Sequence, residues 1–132
     1  FHMSLLKDGI KTALVTASPN EMFNYVNGRL GLTKLFDFIV SGGMVAKNKP
    51  HPEPYLMAME MLNVNPENTV VIEDSVHGIN SGLSSGAFVI GYRGSVPESA
   101  LEIAHLIIHN HTELSVELLI EKINNINLSK TE

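Results

Sequence analysis

The 132-residue chain has no cysteine. That excludes a disulfide scaffold, a thiolate nucleophile and a thiolate-ligated zinc. No apolar run approaches the roughly 20 residues that a membrane-spanning helix needs. Basic residues are in the minority, nine Lys and Arg against fourteen Asp and Glu, for a formal net charge of −5. With no basic stripe to neutralise phosphate backbones, nucleic acid is not an expected partner. Internal repeats, low-complexity stretches and interior linkers are also missing. Residues Phe1-His2-Met3-Ser4 show neither the basic start nor the apolar core of a signal peptide. Residues 1–4 read as a leader or vector scar, and the expected location is cytoplasmic.

What is present suits one globular domain. Hydrophobic residues make up 44% of the chain and charged residues 17%, which is enough apolar surface for a core and too few charges for disorder. Short apolar runs alternate with amphipathic stretches. Thr12–Thr16, Phe36–Val40, Thr69–Ile72, Phe88–Ile90 and Leu106–Ile108 read as strands. Between them, helices are expected from Ser18 to Gly31, for about ten residues after Lys49, over Val76–Ser85, around Glu98–Ala104 and over Val116–Ile126. Ser18 reads as an N-cap with Glu21 completing a capping box. Met22, Phe23, Val26 and Leu30 would form the apolar face of that helix, and Leu56, Met59 and Leu62 that of the next. Strands alternating with helices imply βαβ crossovers, hence an α/β fold with an open parallel sheet covered on both faces. The domain spans 5–126, and 127–132 reads as a frayed polar tail. Thr69–Ile72, the most apolar strand, is expected deep in the sheet.

Three segments carry chemistry: Leu14-Val-Thr-Ala-Ser-Pro-Asn20, Lys49-Pro-His-Pro-Glu-Pro-Tyr55 and Val70-Val-Ile-Glu-Asp-Ser75. Each lies at or just after the end of an expected strand, where ligands gather in such sheets. The Thr16 hydroxyl, with the N–H groups of Ala17 and Ser18 at a helix start, can bind a phosphate oxygen. Lys49, held before closely spaced prolines, supplies a point charge for a phosphate or a carboxylate. Glu73 and Asp74 suit a hard cation such as Mg²⁺. The plainer alternative has Asp74 capping the next helix and Glu73 pairing with Lys49. Ser18, Asn20 and His51 are candidate substrate-side residues, with cap and turn roles as their plainer alternatives. His105, His109 and His111 flank one strand, but without a fourth ligand a zinc site is set aside. A phospho-receiver domain combines the same groups, but there the acidic pair ends the first strand, whereas here it comes last.

The three motifs, in this order and spacing, resemble the haloacid dehalogenase-like hydrolases, and within them the β-phosphoglucomutase and sugar-phosphate phosphatase branch. The resemblance runs from about Leu5 to Tyr92. It implies that Thr16, helped by the Ala17 backbone, binds phosphate, that Lys49 steadies phosphate and nucleophile, and that Asp74 with Glu73 holds Mg²⁺. It implies a small phosphomonoester substrate and an aspartyl-phosphate intermediate. The family's first motif, Asp-x-Asp-Gly on a central strand, and its helical cap are not in this sequence, whose aspartates are Asp8, Asp37 and Asp74. The chain therefore reads as the C-terminal part of such an enzyme, inactive alone and holding Mg²⁺ weakly or not at all. A non-catalytic anion-binding or association module derived from the fold is the alternative. The family's first strand lies between the Thr16 and Asp74 strands. The resulting gap is expected to be closed by direct pairing of its flanks, by exchange between chains in a homodimer, or by a strand from elsewhere.

Overall fold

The computed structural model describes residues 5, 8–94 and 96–131. The expected leader at 1–4 and the terminal Glu132 lie outside them. Among the described residues the strands are β1 (Ala13–Val15), β2 (Phe38–Val40), β3 (Val70–Glu73), β4 (Phe88–Tyr92) and β5 (Leu106–Ile108). The α-helices given bounds there are α1 (Asn20–Leu30), α2 (Glu53–Leu62), α3 (Val76–Ser84) and α4 (Val116–Thr131). Residues Glu98–Leu101 form a 3₁₀ turn where a short helix is expected.

Every strand pair is parallel, but the strands fall into two sheets, β1-β2 and β3-β4-β5. Thr12 and Thr16 lie outside β1 proper yet still bond to its neighbour. The Thr12 N–H donates to the Asp37 carboxylate (2.8 Å) and the Thr16 N–H to Val40 O (2.9 Å).

The β3-β4-β5 sheet carries the core. On one face Val71, Val89, Ile79, Leu101, Tyr55 and Met59 pack together, drawn from the sheet and from α2 and α3. On the other, Ile90 and Ile108 pack with Leu5, Val116 and Leu119, the last two from α4. Helix α3 approaches the sheet closely because Gly82 has no Cβ; one placed there would lie 2.9 Å from Val89 and 3.0 Å from Val71. Helix α2 packs against both strands of the small sheet and also against α3, so it spans the two halves.

Several expectations are corrected here. Ser18 caps nothing: Pro19 occupies the N-cap of α1, with no side-chain cap. The Ser18 N–H is taken instead by the Thr16 hydroxyl (3.1 Å), which tightens the loop before the helix. Helix α1 buries no residue at all; Met22 and Leu30 are exposed, because the helix leans mainly on the turns at Leu32–Lys34 and Gly42–Met44. On α2 the inward face is Tyr55, Ala58 and Met59, and Leu56 is exposed. The final helix continues past Ile126 to Thr131, so most of the expected tail is helical. Strand β3 is an edge strand, with Val71 buried and Ile72 40% exposed.

The gap expected between the Thr16 and Asp74 strands is real: β1 and β3 belong to different sheets. Between them lies a slot of about 1160 Å³, lined by both strands and by parts of α2 and α4. Within the chain, neither direct pairing of β1 with β3 nor an inserted strand closes it among the described residues. Of the expected closures, direct pairing of the flanks therefore fails among the described residues. Helix α2, which packs on both β1-β2 and α3, bridges the two halves beside this slot.

Candidate functional site

The site is built at the carboxyl ends of β1 and β3. Thr16 follows β1 directly. Its hydroxyl accepts from the Ser18 N–H and donates to the Ser18 Oγ, both at 3.1 Å. The neighbouring Ala17 is exposed and its N–H has no partner among the described residues. It is thus the backbone donor available to an anion, while the Ser18 N–H is spent inside the loop. This loop rests on the turn after β2. The Gly42 N–H donates to Ser18 O (2.8 Å), and the Ser41 hydroxyl bonds the Asn20 side chain. A Cβ at Gly42 would collide with Ala17 O, and one at Gly43 with the Asn20 amide. The Ser41-Gly42-Gly43 run therefore seats the Thr16–Ser18 loop, and Asn20 is a structural member of that contact.

Lys49 comes from a loop tied down at its base. The Glu53 carboxylate accepts the N–H groups of Ala46 and Lys47, each at 2.9 Å, and these bonds hold its pKa below the usual value. The Lys49–Pro50 peptide is cis. His51 works within the loop: its Nδ1 accepts the Glu53 N–H (3.1 Å) and its carbonyl accepts the Ser81 hydroxyl (2.7 Å). Asn48 donates to Gly42 O (3.2 Å), joining this loop to the first one.

From that base the Lys49 ammonium reaches across the slot. It donates to Val15 O (3.0 Å) at the end of β1 and to the Glu73 carboxylate (2.5 Å) at the end of β3. The pair is largely sheltered, with side-chain exposures of 13% and 9%. The Tyr55 hydroxyl donates to the same Glu73 oxygen, and the Lys49 ammonium lies 5.1 Å from the centre of the Tyr55 ring. Burial, and after it the Glu73 carboxylate, pushes the Tyr55 phenol far above its ordinary range, so it stays a donor. Gly78 makes room, since a Cβ there would collide with the Glu73 carboxylate.

Strand alternation turns Glu73 and Asp74 to opposite faces. Glu73 points inward to Lys49 and Tyr55, whereas Asp74 is exposed at the slot mouth. Asp74 does not cap α3; Ser75 does, accepting from the Gly78 N–H at 3.1 Å. The carboxylates do not converge, and no group of three or more His, Cys, Asp or Glu among the described residues could hold a metal ion. The donors on this chain therefore do not fit Mg²⁺ by themselves: Asp74 alone faces where a cation would sit.

Thr16, Ala17, Lys49, Glu73 and Asp74 all line the one slot, and Ser18, Asn20 and His51 do not. Of the three histidines at the far edge, His105 and His109 do other work. The His105 Nδ1 accepts the Val89 N–H (2.9 Å) while its ring stacks on Phe88, and His109 pairs with Glu98 at 3.1 Å. Sequence reasoning gave no role to Tyr55, Glu53 or Gly78. A signal for the first two lay in the Lys49–Tyr55 segment itself, where a loop that must hold a lysine needs anchors on the helix that follows it.

The Lys49 ammonium and the unpartnered Ala17 N–H thus lie together at the carboxyl ends of β1 and β3. Residues 3–92 match the family model described as haloacid dehalogenase-like hydrolase. The chain belongs to that family. It is 46% identical over 77 residues to a phosphorylated carbohydrates phosphatase of Thermotoga maritima, a match covering 58% of this chain and 36% of that protein. It is 33% identical over 118 residues to the β-phosphoglucomutase of Bacillus subtilis, covering 89% of this chain and 50% of that protein. Among solved structures, the Clostridium difficile β-phosphoglucomutase superposes with a TM-score of 0.82 at 35% identity, over 96% of this chain and 55% of that one. The chain thus spans about half, or less, of the length of these relatives. No helix among the described residues is long and apolar enough to cross a membrane.

Proposed function

We propose that this chain is the phosphate-holding part of a Mg²⁺-dependent phosphatase or phosphomutase acting on small phosphomonoesters, sugar phosphates first among them. The observation that carries the reading is the Lys49 ammonium, held between Val15 O and Glu73 beside Thr16 and the free Ala17 N–H. Lys49 and Ala17 bind and orient the phosphoryl oxygens. Tyr55 and Glu73 fix the lysine, and Asp74 is the one carboxylate free to share a cation. Such a cradle acts by positioning and by neutralising charge on the transferring group. A phosphoryl acceptor, an aspartate in the proposed reaction, has to come from outside the sequence given, which has no Asp-x-Asp. The relatives' names, a carbohydrate phosphatase and a β-phosphoglucomutase, support the substrate class. The missing acceptor favours a second reading, an anion-binding module that acts by association.

The test is inorganic phosphate titrated against the chain by ³¹P NMR, beside a p-nitrophenyl phosphate assay with Mg²⁺. Saturable binding is expected, with no turnover above a blank. Lys49→Met should weaken binding roughly tenfold to a hundredfold, as expected for loss of a charge-assisted bond. Thr16→Val, which keeps the shape, should loosen the Ala17 loop and weaken binding less. Binding untouched by either change would reject the reading, and so would turnover abolished by Asp74→Asn.

A further inference from the structure

The turn that seats the Thr16–Ser18 loop is closed by a methionine. Met44 ends the 3₁₀ turn Gly42–Met44. Its N–H donates to Ser41 O (3.0 Å), and its Sδ accepts the Ser41 N–H in return (3.4 Å). A thioether is a weak acceptor. Ser41, however, is only 4% exposed, so its N–H has little access to water, and leaving such a group unpaired costs free energy. The sulfur completes the turn.

What the turn holds is the loop after β1. The Gly42 N–H donates to Ser18 O (2.8 Å), the Asn48 amide donates to Gly42 O (3.2 Å), and the Ser41 hydroxyl bonds the Asn20 side chain. Gly42 lies so close to Ala17 O, and Gly43 to the Asn20 amide, that neither position has room for a Cβ. A contact this tight follows any movement of the turn. Met44 itself is 41% exposed. A soft, oxidisable sulfur at the surface thus makes the bond on which a close-packed contact depends. The other methionines differ. Met59 is shut in the core, and Met22 and Met61 are exposed on α1 and α2, outside this turn.

We propose that Met44 is a redox-modification site that couples peroxide-type oxidants to the Thr16–Ser18 loop. In the step, the thioether lone pair attacks one oxygen of hydrogen peroxide, an S–O bond forms and the O–O bond breaks. The proton on the transferred oxygen passes to the leaving hydroxide, which departs as water; sulfur is oxidised by two electrons and the peroxide reduced. The acceptor of the resulting sulfoxide is its oxygen, one bond beyond the sulfur, and it is strongly hydrated. The side chain backs out of the turn, the Ser41 N–H loses its partner, and the seated loop loosens with Ala17 in it. Two thiols acting through a methionine sulfoxide reductase restore the thioether, giving a disulfide and water. Loss of phosphate affinity on oxidation rests on the phosphoryl-transfer reading above, whereas release of the loop rests on the turn alone.

The experiment treats the whole ¹⁵N-labelled chain and its Met44→Leu variant with hydrogen peroxide, with each methionine's oxidation read by peptide mass spectrometry. Each protein is compared with its own untreated state, so oxidation of Met22 and Met61 is common to both and cancels. In the parent, Ser41 amide exchange should quicken about tenfold and the phosphate Kd rise about tenfold, the equivalent of roughly one lost hydrogen bond. The Gly42 and Ala17 amide resonances should move with them. The variant should show none of these responses, and reductase with a thiol should return the parent to its starting state. Met44 left as a thioether while Met22 and Met61 are oxidised would overturn the proposal. So would Met44 sulfoxide with the Ser41, Gly42 and Ala17 amides unmoved, or an equal response in Met44→Leu. Moved amides with phosphate unbound before and after treatment would uphold the site and count against the phosphoryl-transfer reading alone.

Discussion

The two halves of this molecule are built from the same βα grammar but reach very different degrees of burial. Around β3-β4-β5, the side chains of Ile79, Val89, Ile90 and Leu101 are fully inaccessible, with helices on both faces. Around β1-β2, Val40 is the one strand residue fully shut away, and α1 contributes no buried residue. Amphipathic spacing is present in both α1 and α3, the helices that directly follow β1 and β3. What differs is the platform: α3 lies on a three-stranded sheet and α1 beside a two-stranded one. An apolar face is buried only where enough sheet exists to receive it.

That contrast can be broken by mutation. Ile79→Ala should cost about 2–5 kcal/mol in urea unfolding, the usual range for an aliphatic truncation in a closed core. Met22→Ala on α1 should fall within about 0.5 kcal/mol of the parent. Equal costs would erase the distinction between the halves. Tyr55→Phe keeps the ring but removes the donor to Glu73. It should cost about 1.5–3 kcal/mol and also weaken phosphate binding, because Lys49 loses its fixed partner.

A smaller effect is expected from Gly78→Ala, about 1–3 kcal/mol, as the new methyl group displaces the Glu73 carboxylate. Its signature is a changed Lys49 ammonium resonance with the far sheet unmoved. The smallest effect lies on the exposed Lys49 loop. The Glu53 pKa is lower folded than its ordinary 4.5 because the Ala46 and Lys47 N–H groups bond its carboxylate. Its contribution is therefore present above the unfolded value and lost as pH falls through the folded one. Glu53→Gln should loosen residues 46–49 at pH 7, and the difference from the parent should vanish in acid, read by amide exchange in that loop.

Much of this was legible in the sequence. The strand–helix alternation, the three segments and their meeting at strand ends all follow from local patterns, and the gap beside the Thr16 strand follows from the family resemblance. The illegible parts depend on what lies across space. Glu73 and Asp74 are adjacent, yet one faces Tyr55 and Lys49 and the other faces outward. The plainer reading of Glu73 as the partner of Lys49 holds, while the direction of the pleat, which turns Asp74 outward instead of onto α3, is not contained in local pattern. Ser18 looked like a cap because its type and position fit, but the helix starts one residue later and the Ser18 Oγ is engaged by the Thr16 hydroxyl. The apolar spacing of the α1 face was legible, but how far it is buried depends on a surface that local pattern does not contain.

The central claim is that one half is a closed core while the other is held to it by α2 and by Lys49 across an open slot. Native-state hydrogen exchange read residue by residue tests it most directly. The amides of Val89 and Ile90 should exchange only through global unfolding, and those of Ala13 and Val15 orders of magnitude faster through local opening. Uniform protection of all four in a monomer would contradict the account, because it would mean that the sheet is continuous and the slot closed.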